Sequence, residues 1–151
     1  MSDREASFLV CDDLLVSLNG KFFIQGVYTG DIVISGEEQK LNQLIILLQL
    51  STPIQKPFQK LQLSLSLPGE DAPRITNLLP LLPLLFPIAG RRTLSYKVPV
   101  PIAGPNLRPG AIEVRITHDE GEVYVGRQWV VSPQQVQAGH APSGAHSSSR
   151  N

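Results

Sequence analysis

The sequence contains few of the residues on which several classes of protein depend. Cysteine occurs once in 151 residues, as Cys11, which excludes an internal disulfide scaffold and a thiolate metal cluster. Lysine and arginine together number 13, as do aspartate and glutamate, so the formal net charge is zero. A general nucleic-acid-binding protein carries a basic excess. We therefore expect no nucleic-acid partner.

Long apolar runs are also missing. The most apolar stretches, Leu44–Leu50 and Leu78–Ile88, are far shorter than the roughly 20 residues of a transmembrane helix. Residues 1–5 do not form the basic segment that opens a secretory signal. We expect a protein without a membrane span, located in the cytoplasm. The apolar content of 42% nevertheless excludes disorder throughout.

Apolar and polar residues alternate along much of the chain, as they do in β-strands. Lys60–Leu67 has leucine at every second position, a period of two. Ile112–Ile116 alternates in the same way, and Glu122–Val131 returns as the last strand, with Gly126 as a bulge. This pattern predicts a hairpin near the end of the domain.

A second hairpin is predicted near the start. Two apolar-rich runs, Phe8–Leu18 and Lys21–Tyr28, flank the dipeptide Asn19-Gly20. Asn-Gly favours a type I′ turn, because both central residues of that turn need a positive φ.

Three further segments complete the predicted sheet. Asp31–Ile34 is typical of a short strand. Leu41–Ser51 is apolar on both faces, which favours a central strand, although its composition also permits a helix. Thr93–Val100 alternates, and Pro99 places it at a sheet edge or ends its ladder early.

Seven or eight strands in about 125 residues predict an all-β protein. We expect a single antiparallel β-sandwich, immunoglobulin-like or C2-like, over residues 7–131. Residues 1–6 are predicted to be a flexible N-terminus. Residues 132–151 are predicted to be a disordered tail, because Val136 is their one apolar residue larger than alanine.

Acidic residues offer the candidate ligand or metal sites. Asp12 and Asp13 are adjacent, and adjacent residues of a strand point to opposite faces, which favours a structural role for them. Asp119 and Glu120 crowd a predicted turn, but their spacing matches no calcium-binding loop. A calcium or other ligand site that uses these carboxylates remains the alternative.

The other reactive residues predict no catalytic site. Cys11 is expected to be a small buried apolar residue, and His118 is expected to be exposed beside a turn. His140 and His146 fall in the predicted tail. The sequence also contains no phosphate-binding glycine loop and no nucleophile-elbow motif. We expect neither a catalytic residue nor a cofactor.

The most unusual segment is Leu78–Ile88, here called the Leu/Pro segment. Pro80, Pro83 and Pro87 exclude a regular helix interior and a central strand. The segment either packs inward as a lid over the core or forms an exposed apolar patch for a partner or a membrane surface. Tyr28, Phe23 and Phe58 are candidates to extend such a patch. The candidate interaction residues are Leu81, Leu82, Leu84, Leu85 and Phe86.

The N-terminal hairpin carries a family resemblance. The strings Cys11-Asp12-Asp13, Asn19-Gly20-Lys21 and Gly26-Val27-Tyr28 resemble the start of an uncharacterised family of small bacterial proteins. That family is a domain of unknown function that opens with a Cys-Asp-Asp strand, a Gly-Lys turn and a Gly-Val-Tyr strand end. The Pro109-Gly110 turn is similar too. The resemblance implies a bacterial source and an all-β fold, but no activity.

The residues therefore favour a non-enzymatic protein-interaction or structural module. Its contact with an unknown protein partner would use an edge strand, by β-augmentation, or the Leu/Pro segment. Self-association would use the same surfaces. The alternative is a ligand- or Ca²⁺-binding domain that uses loop carboxylates, and an enzyme is the third hypothesis.

Overall fold

The computed structural model describes residues 3–85 and 88–139, and β-strands predominate in them. The all-β prediction is confirmed. Within these ranges, eight strands have four or more residues, and three have two. The strands are β1 Glu5–Val16, β2 Phe22–Val27, β3 Ile32–Val33, β4 Gln39–Lys40, β5 Gln43–Pro53, β6 Leu61–Ser66, β7 Arg74–Asn77, β8 Thr93–Ala103, β9 Asn106–Leu107, β10 Gly110–His118 and β11 Gly121–Val131.

These strands form two main sheets and a small third one. The four-stranded sheet has the order β2-β1-β5-β8, the five-stranded sheet has the order β3-β11-β10-β6-β7, and β4 pairs with β9. The prediction of a wholly antiparallel architecture is wrong at one place, where β3 runs parallel to β11. The chain leaves β2 in one sheet and joins the other sheet as β3, so a hairpin turn does not dictate its direction.

Both main sheets contribute side chains to one apolar core. Alternate residues of β6 and β10 are buried, as the period of two predicts. Burial of each leucine or isoleucine contributes roughly 1.5–3 kcal/mol. The fully buried side chains of this core include Leu44, Ile46, Leu48, Leu61, Leu63, Leu65, Ile112 and Ile116.

The central strand of the four-stranded sheet is β5, between β1 and β8. The prediction of a strand rather than a helix over Leu41–Ser51 is confirmed. Ile46 faces the core, while Ile45 and Leu47 on the opposite face are also buried, at 5% and 1% exposure. The edge position predicted for the Pro99 strand is confirmed too, since β8 ends the sheet.

The hairpin between β1 and β2 is confirmed, but the predicted type I′ turn is wrong. Gly20 has a φ of 77°, whereas Asn19 does not have a positive φ. The Gly20 amide donates to the Ser17 carbonyl at 2.9 Å, and the Ser17 amide donates to the Lys21 carbonyl at 2.9 Å. This is a three-residue loop with glycine in the left-handed position. Because Val16 pairs with Phe22, residues 17–21 lie between the paired ends of the strands, which is too many for a two-residue turn.

The second predicted hairpin is confirmed as β10–β11, with its bulge. The register shifts between Val114 and Arg115, opposite Gly126 and Tyr124. One extra residue of β11 is accommodated there. A Cβ on Gly126 would lie 3.0 Å from the Phe8 ring, so glycine also permits β1 to approach.

Parts of both predicted flexible ends belong to regular elements in the described residues. At the N-terminus β1 begins at Glu5, and the Arg4 side chain is only 5% exposed. At the other end, Pro133–Gly139 form helix α1. Ser132 Oγ accepts from the Gln135 amide, and Gln135 Oε1 accepts from the Ser132 amide at 2.9 Å, which is a capping box. Residues 1–2 and 140–151 lie outside the described residues.

Candidate functional site

The carboxylate of Asp119 fastens the turn between β10 and β11 to the β5–β6 connection. Its Oδ1 accepts the amides of Gln59 and Lys60, each at 2.9 Å, and its Oδ2 lies 2.6 Å from the Arg4 guanidinium. These contacts, led by the Lys60 amide, hold the pKa of Asp119 well below its usual range. Both carboxylate oxygens are thus occupied by protein donors.

The Arg4 guanidinium is the centre of this cluster. It donates to the Lys56 carbonyl at 3.0 Å and to His118 Nδ1 at 3.1 Å, and it lies 4.8 Å from the Phe58 ring centre. The prediction that His118 is exposed is wrong, because the residue is 7% exposed. His118 Nδ1 also accepts the Glu120 amide at 3.1 Å. The cluster closes one end of the fold, which is a structural role.

The residues that carry the family resemblance meet in the first hairpin. The Tyr28 hydroxyl donates to Asp12 Oδ1 at 2.6 Å. Burial, together with this hydrogen bond, raises the pKa of Tyr28 to about 12. Gly26 has a φ of 65°, and a Cβ there would lie 2.8 Å from the Asp12 Cγ. The Asp12 carboxylate therefore occupies the space that a larger residue than glycine would need.

Asp13 and Cys11 flank Asp12 and have different surroundings. Asp13 Oδ1 accepts the Leu14 amide at 2.8 Å and Gln43 Nε2 at 3.3 Å. Cys11 is fully buried, as predicted, and burial together with the two neighbouring carboxylates raises the pKa of its thiol. A protonated, buried thiol is a poor nucleophile. In residues 3–85 and 88–139, no group of three or more His, Cys, Asp or Glu side chains could hold a metal ion.

The Leu/Pro segment shows both predicted arrangements, inward packing and surface exposure, but in different residues. Leu78 is fully buried, and Leu82 and Leu85 pack against the core as a lid. Leu81 and Leu84 point the other way, with 45% and 89% exposure. Phe86, the fifth candidate, lies outside the described residues. A 3-10 helix over Leu79–Leu81, with Pro80 within its first turn, lets the apolar side chains divide between the two directions.

A larger apolar surface lies on the β1–β2 hairpin. Every residue of β2 after Phe22 is exposed, including Phe23 at 57%. The prediction for Phe58 is wrong, because it is 9% exposed and belongs to the core, and Tyr28 packs partly buried against that core. The sequence contains a signal for this surface, because Phe22, Phe23 and Ile24 are consecutive and so occupy both faces of their strand. The exposed apolar residues of the hairpin are Leu15, Val16, Leu18, Phe23, Ile24 and Val27.

One groove joins the hairpin to the Leu/Pro segment across the outer face of the four-stranded sheet. Its volume is about 890 Å³, and we call it the hairpin groove. The hairpin contributes Val16, Phe22 and Ile24, and the Leu/Pro segment contributes Leu81 and Pro83. The remaining lining residues are Leu9, Gly20, Lys21, Leu47, Gln49, Lys97 and Pro99.

Comparison of the chain with protein-family models, curated proteins and solved structures finds no match. The resemblance of the first hairpin to a bacterial family therefore stays a prediction. Among residues 3–85 and 88–139, no helix is long and apolar enough to span a bilayer.

Proposed function

We propose that the protein is a non-enzymatic interaction module that binds a partner protein through the hairpin groove. The observation that carries this proposal is the groove itself, in which apolar side chains from four separated segments converge on the surface. Large contiguous apolar surfaces on a folded domain are typical of binding sites, because exposure to water is unfavourable.

The composition of the groove favours a protein partner. Its lining is mainly aliphatic and aromatic, and its polar members include the long side chains of Lys21, Gln49 and Lys97. Apolar side chains with polar neighbours are the usual composition of protein–protein interfaces. The alternative, calcium binding by loop carboxylates, has less support, because both oxygens of Asp119 accept contacts from protein donors.

We further propose which all-β architecture the protein has and where it is located. A β-sandwich, immunoglobulin-like or C2-like, is supported by the single core to which both main sheets contribute. A cytoplasmic location in a bacterium fits the one buried, unpaired Cys11 and the resemblance of the first hairpin. Neither property is required for the groove to bind a partner.

Site-specific photocrosslinking in cells tests the interaction. Benzoylphenylalanine replaces Leu81 in the groove and, as a matched control, Ile75, an exposed apolar residue of β7 at 59% exposure. We expect discrete crosslinked products from position 81 only. Val16→Asp, on the hairpin wall of the same groove, should remove those products by placing a charge in the apolar contact.

Two results would contradict the proposal. One is the same crosslinking pattern from positions 75 and 81, which would indicate non-specific apolar contact. The other is a pattern from position 81 that Val16→Asp leaves unchanged. The mass of each product also separates a second copy of the chain from a different protein.

A further inference from the structure

We infer that the partner at the β1–β2 hairpin is a second copy of this chain, joined antiparallel through the two β2 strands. The inference rests on the proposed interaction function and deepens it by naming the partner. Such pairing would extend the four-stranded sheet of each copy into one sheet of eight strands. Two properties of β2 support it: an edge that differs from the other sheet edges, and the charges at its two ends.

Three of the four edges of the main sheets carry features that discourage pairing. The edge strand β8 contains Lys97, Pro99 and Pro101, and proline cannot donate to a neighbouring strand. In the five-stranded sheet, the edge strands are β3, with two residues, and β7, with four residues that begin at Arg74. Short strands, charges and prolines are the usual protection of an exposed edge.

The edge of β2 has little of this protection. Its six residues, Phe22–Val27, include no charge and no proline, and β2 ends its sheet. Its pairs with β1 are continuous from Val16↔Phe22 to Asp13↔Gln25, so the strand is regular up to the bend at Gly26. An exposed, uncharged edge of apolar composition that is regular over residues 22–25 is suited to pairing with another strand.

The charges at the two ends of β2 favour its own copy as the partner. Lys21 precedes the strand, and the Asp12 carboxylate lies at the other end, hydrogen-bonded to Tyr28. Antiparallel pairing about a two-fold axis at Ile24 places Lys21 of each copy opposite Val27 of the other, one residue from Tyr28 and its partner Asp12. Parallel pairing would instead place the two Lys21 ammonium groups side by side.

The proposed assembly would also stop at two copies. Antiparallel β2 strands related by a two-fold axis use the same edge of each copy, which is an isologous contact. The far edge of each sheet is β8, whose Pro99 and Pro101 hinder further addition. The pairing therefore predicts a dimer rather than a fibre.

Sedimentation of the full chain over a wide concentration range tests the inference. We expect a reversible monomer–dimer equilibrium within about 1 µM to 1 mM. Ile24→Lys places two like charges near the two-fold axis and should raise the dissociation constant by about 100-fold. Ile75→Lys makes the same change on the exposed face of β7 and should leave the equilibrium unchanged.

A second measurement does not depend on the fold of the lysine variant. Ile24→Cys places a thiol at the axis, opposite its own copy, and mild oxidation should give a disulfide-linked dimer. Ile75→Cys is the matched control and should stay monomeric.

Three results would overturn the inference: a wild type that is monomeric throughout, equal dissociation of the two lysine variants, or equal oxidation of the two cysteine variants. If crosslinks from position 81 to a different protein persist while the wild type is monomeric, the interaction function survives and the second copy is excluded as its partner. Loss of both the crosslinks and the dimer contradicts the interaction function itself.

Discussion

The two hairpins of this protein are built from similar numbers of residues but differ in how completely the chain covers them. The tip of β10–β11 is held by Asp119, which binds the amides of Gln59 and Lys60 and pairs with Arg4. The tip of β1–β2 ends at Leu18, which is fully exposed. The tip of β10–β11 is held by distant parts of the chain. At the tip of β1–β2, the hydrogen bonds among the described residues join near neighbours in the sequence.

Their exposed faces differ in the same way. On β10–β11, Arg115 lies over the Tyr124 ring and Arg127 over the Trp129 ring, at 5.2 and 5.0 Å from the ring centres. These cation–aromatic contacts place a charged group against each of two rings that remain 46% and 47% exposed. On β1–β2, by contrast, the exposed ring of Phe23 has no such contact with a cation of the described residues. The tip of β10–β11 is held by distant residues and its exposed rings contact cations, whereas the described residues give the β1–β2 hairpin neither contact, which makes it the better suited of the two to a partner.

Matched alanine substitutions give the largest expected difference between the hairpins. Ile116 of β10 is 1% exposed, and Ile116→Ala should lower the free energy of unfolding by about 3 kcal/mol through lost burial and a cavity. Ile24 of β2 is 37% exposed, so Ile24→Ala should cost less than about 1 kcal/mol. Urea denaturation of both variants measures the difference. Equal losses in the free energy of unfolding would contradict the difference in burial between the two hairpins.

Glycine substitutions sharpen the description of the first hairpin. Gly26→Ala should cost about 2 kcal/mol, because it adds a clash with the Asp12 carboxylate to the strain of a positive φ. Gly20 also has a positive φ, but a Cβ there meets nothing within 4 Å, so Gly20→Ala should cost about 1 kcal/mol. Thermal denaturation of the two variants separates clash from strain. A smaller loss for Gly26→Ala would show that Asp12 moves aside easily.

The smallest expected effect is the change with pH in the stability that Asp119 contributes at the tip of β10–β11. The pKa of Asp119 is lowered in the folded state, so its stabilisation is fully present above the unfolded value and is lost as the pH falls through the folded one. Asp119→Asn should cost about 1–2 kcal/mol at pH 7, and this difference from the wild type should shrink below about pH 4.

Urea denaturation at several pH values measures that difference. Asp119→Ala is the control, since it also removes the acceptor of the Gln59 and Lys60 amides and should cost more at every pH. A wild-type advantage over Asp119→Asn that is constant down to pH 2 would contradict a role for the charge.

Much of the fold can be predicted because alternation reports burial directly. The even-numbered residues of β10 are buried from Ile112 onward, and His118 continues that series, so its burial is readable from the same pattern that reveals Ile116. The capping box of Ser132 and Gln135 is also readable, although the composition of the tail points to disorder. The type I′ turn is wrong because the register of the flanking strands, and not the Asn-Gly pair alone, sets the loop length.

The candidate site can be predicted only in part. The Leu/Pro segment stands out because its prolines break both regular structures, but the sequence does not separate inward Leu82 from outward Leu81. The hairpin groove needs both Val16 and Leu81 in its lining, and these residues are far apart in the chain. Such a surface is created by tertiary packing, for which a single sequence has no local signal.

The doubly buried strand β5 has a consequence for how the chain reaches this structure. Its neighbours come from opposite directions of the sequence: Glu5 of β1 pairs with Ser51, and Thr93 of β8 pairs with Pro53. Both loops must close before the central strand is flanked, and distant pairings of this kind make folding slow. A nascent chain that has not yet emerged beyond residue 92 would expose one edge of β5. The four-stranded sheet is therefore expected to be completed late, with β8 closing it.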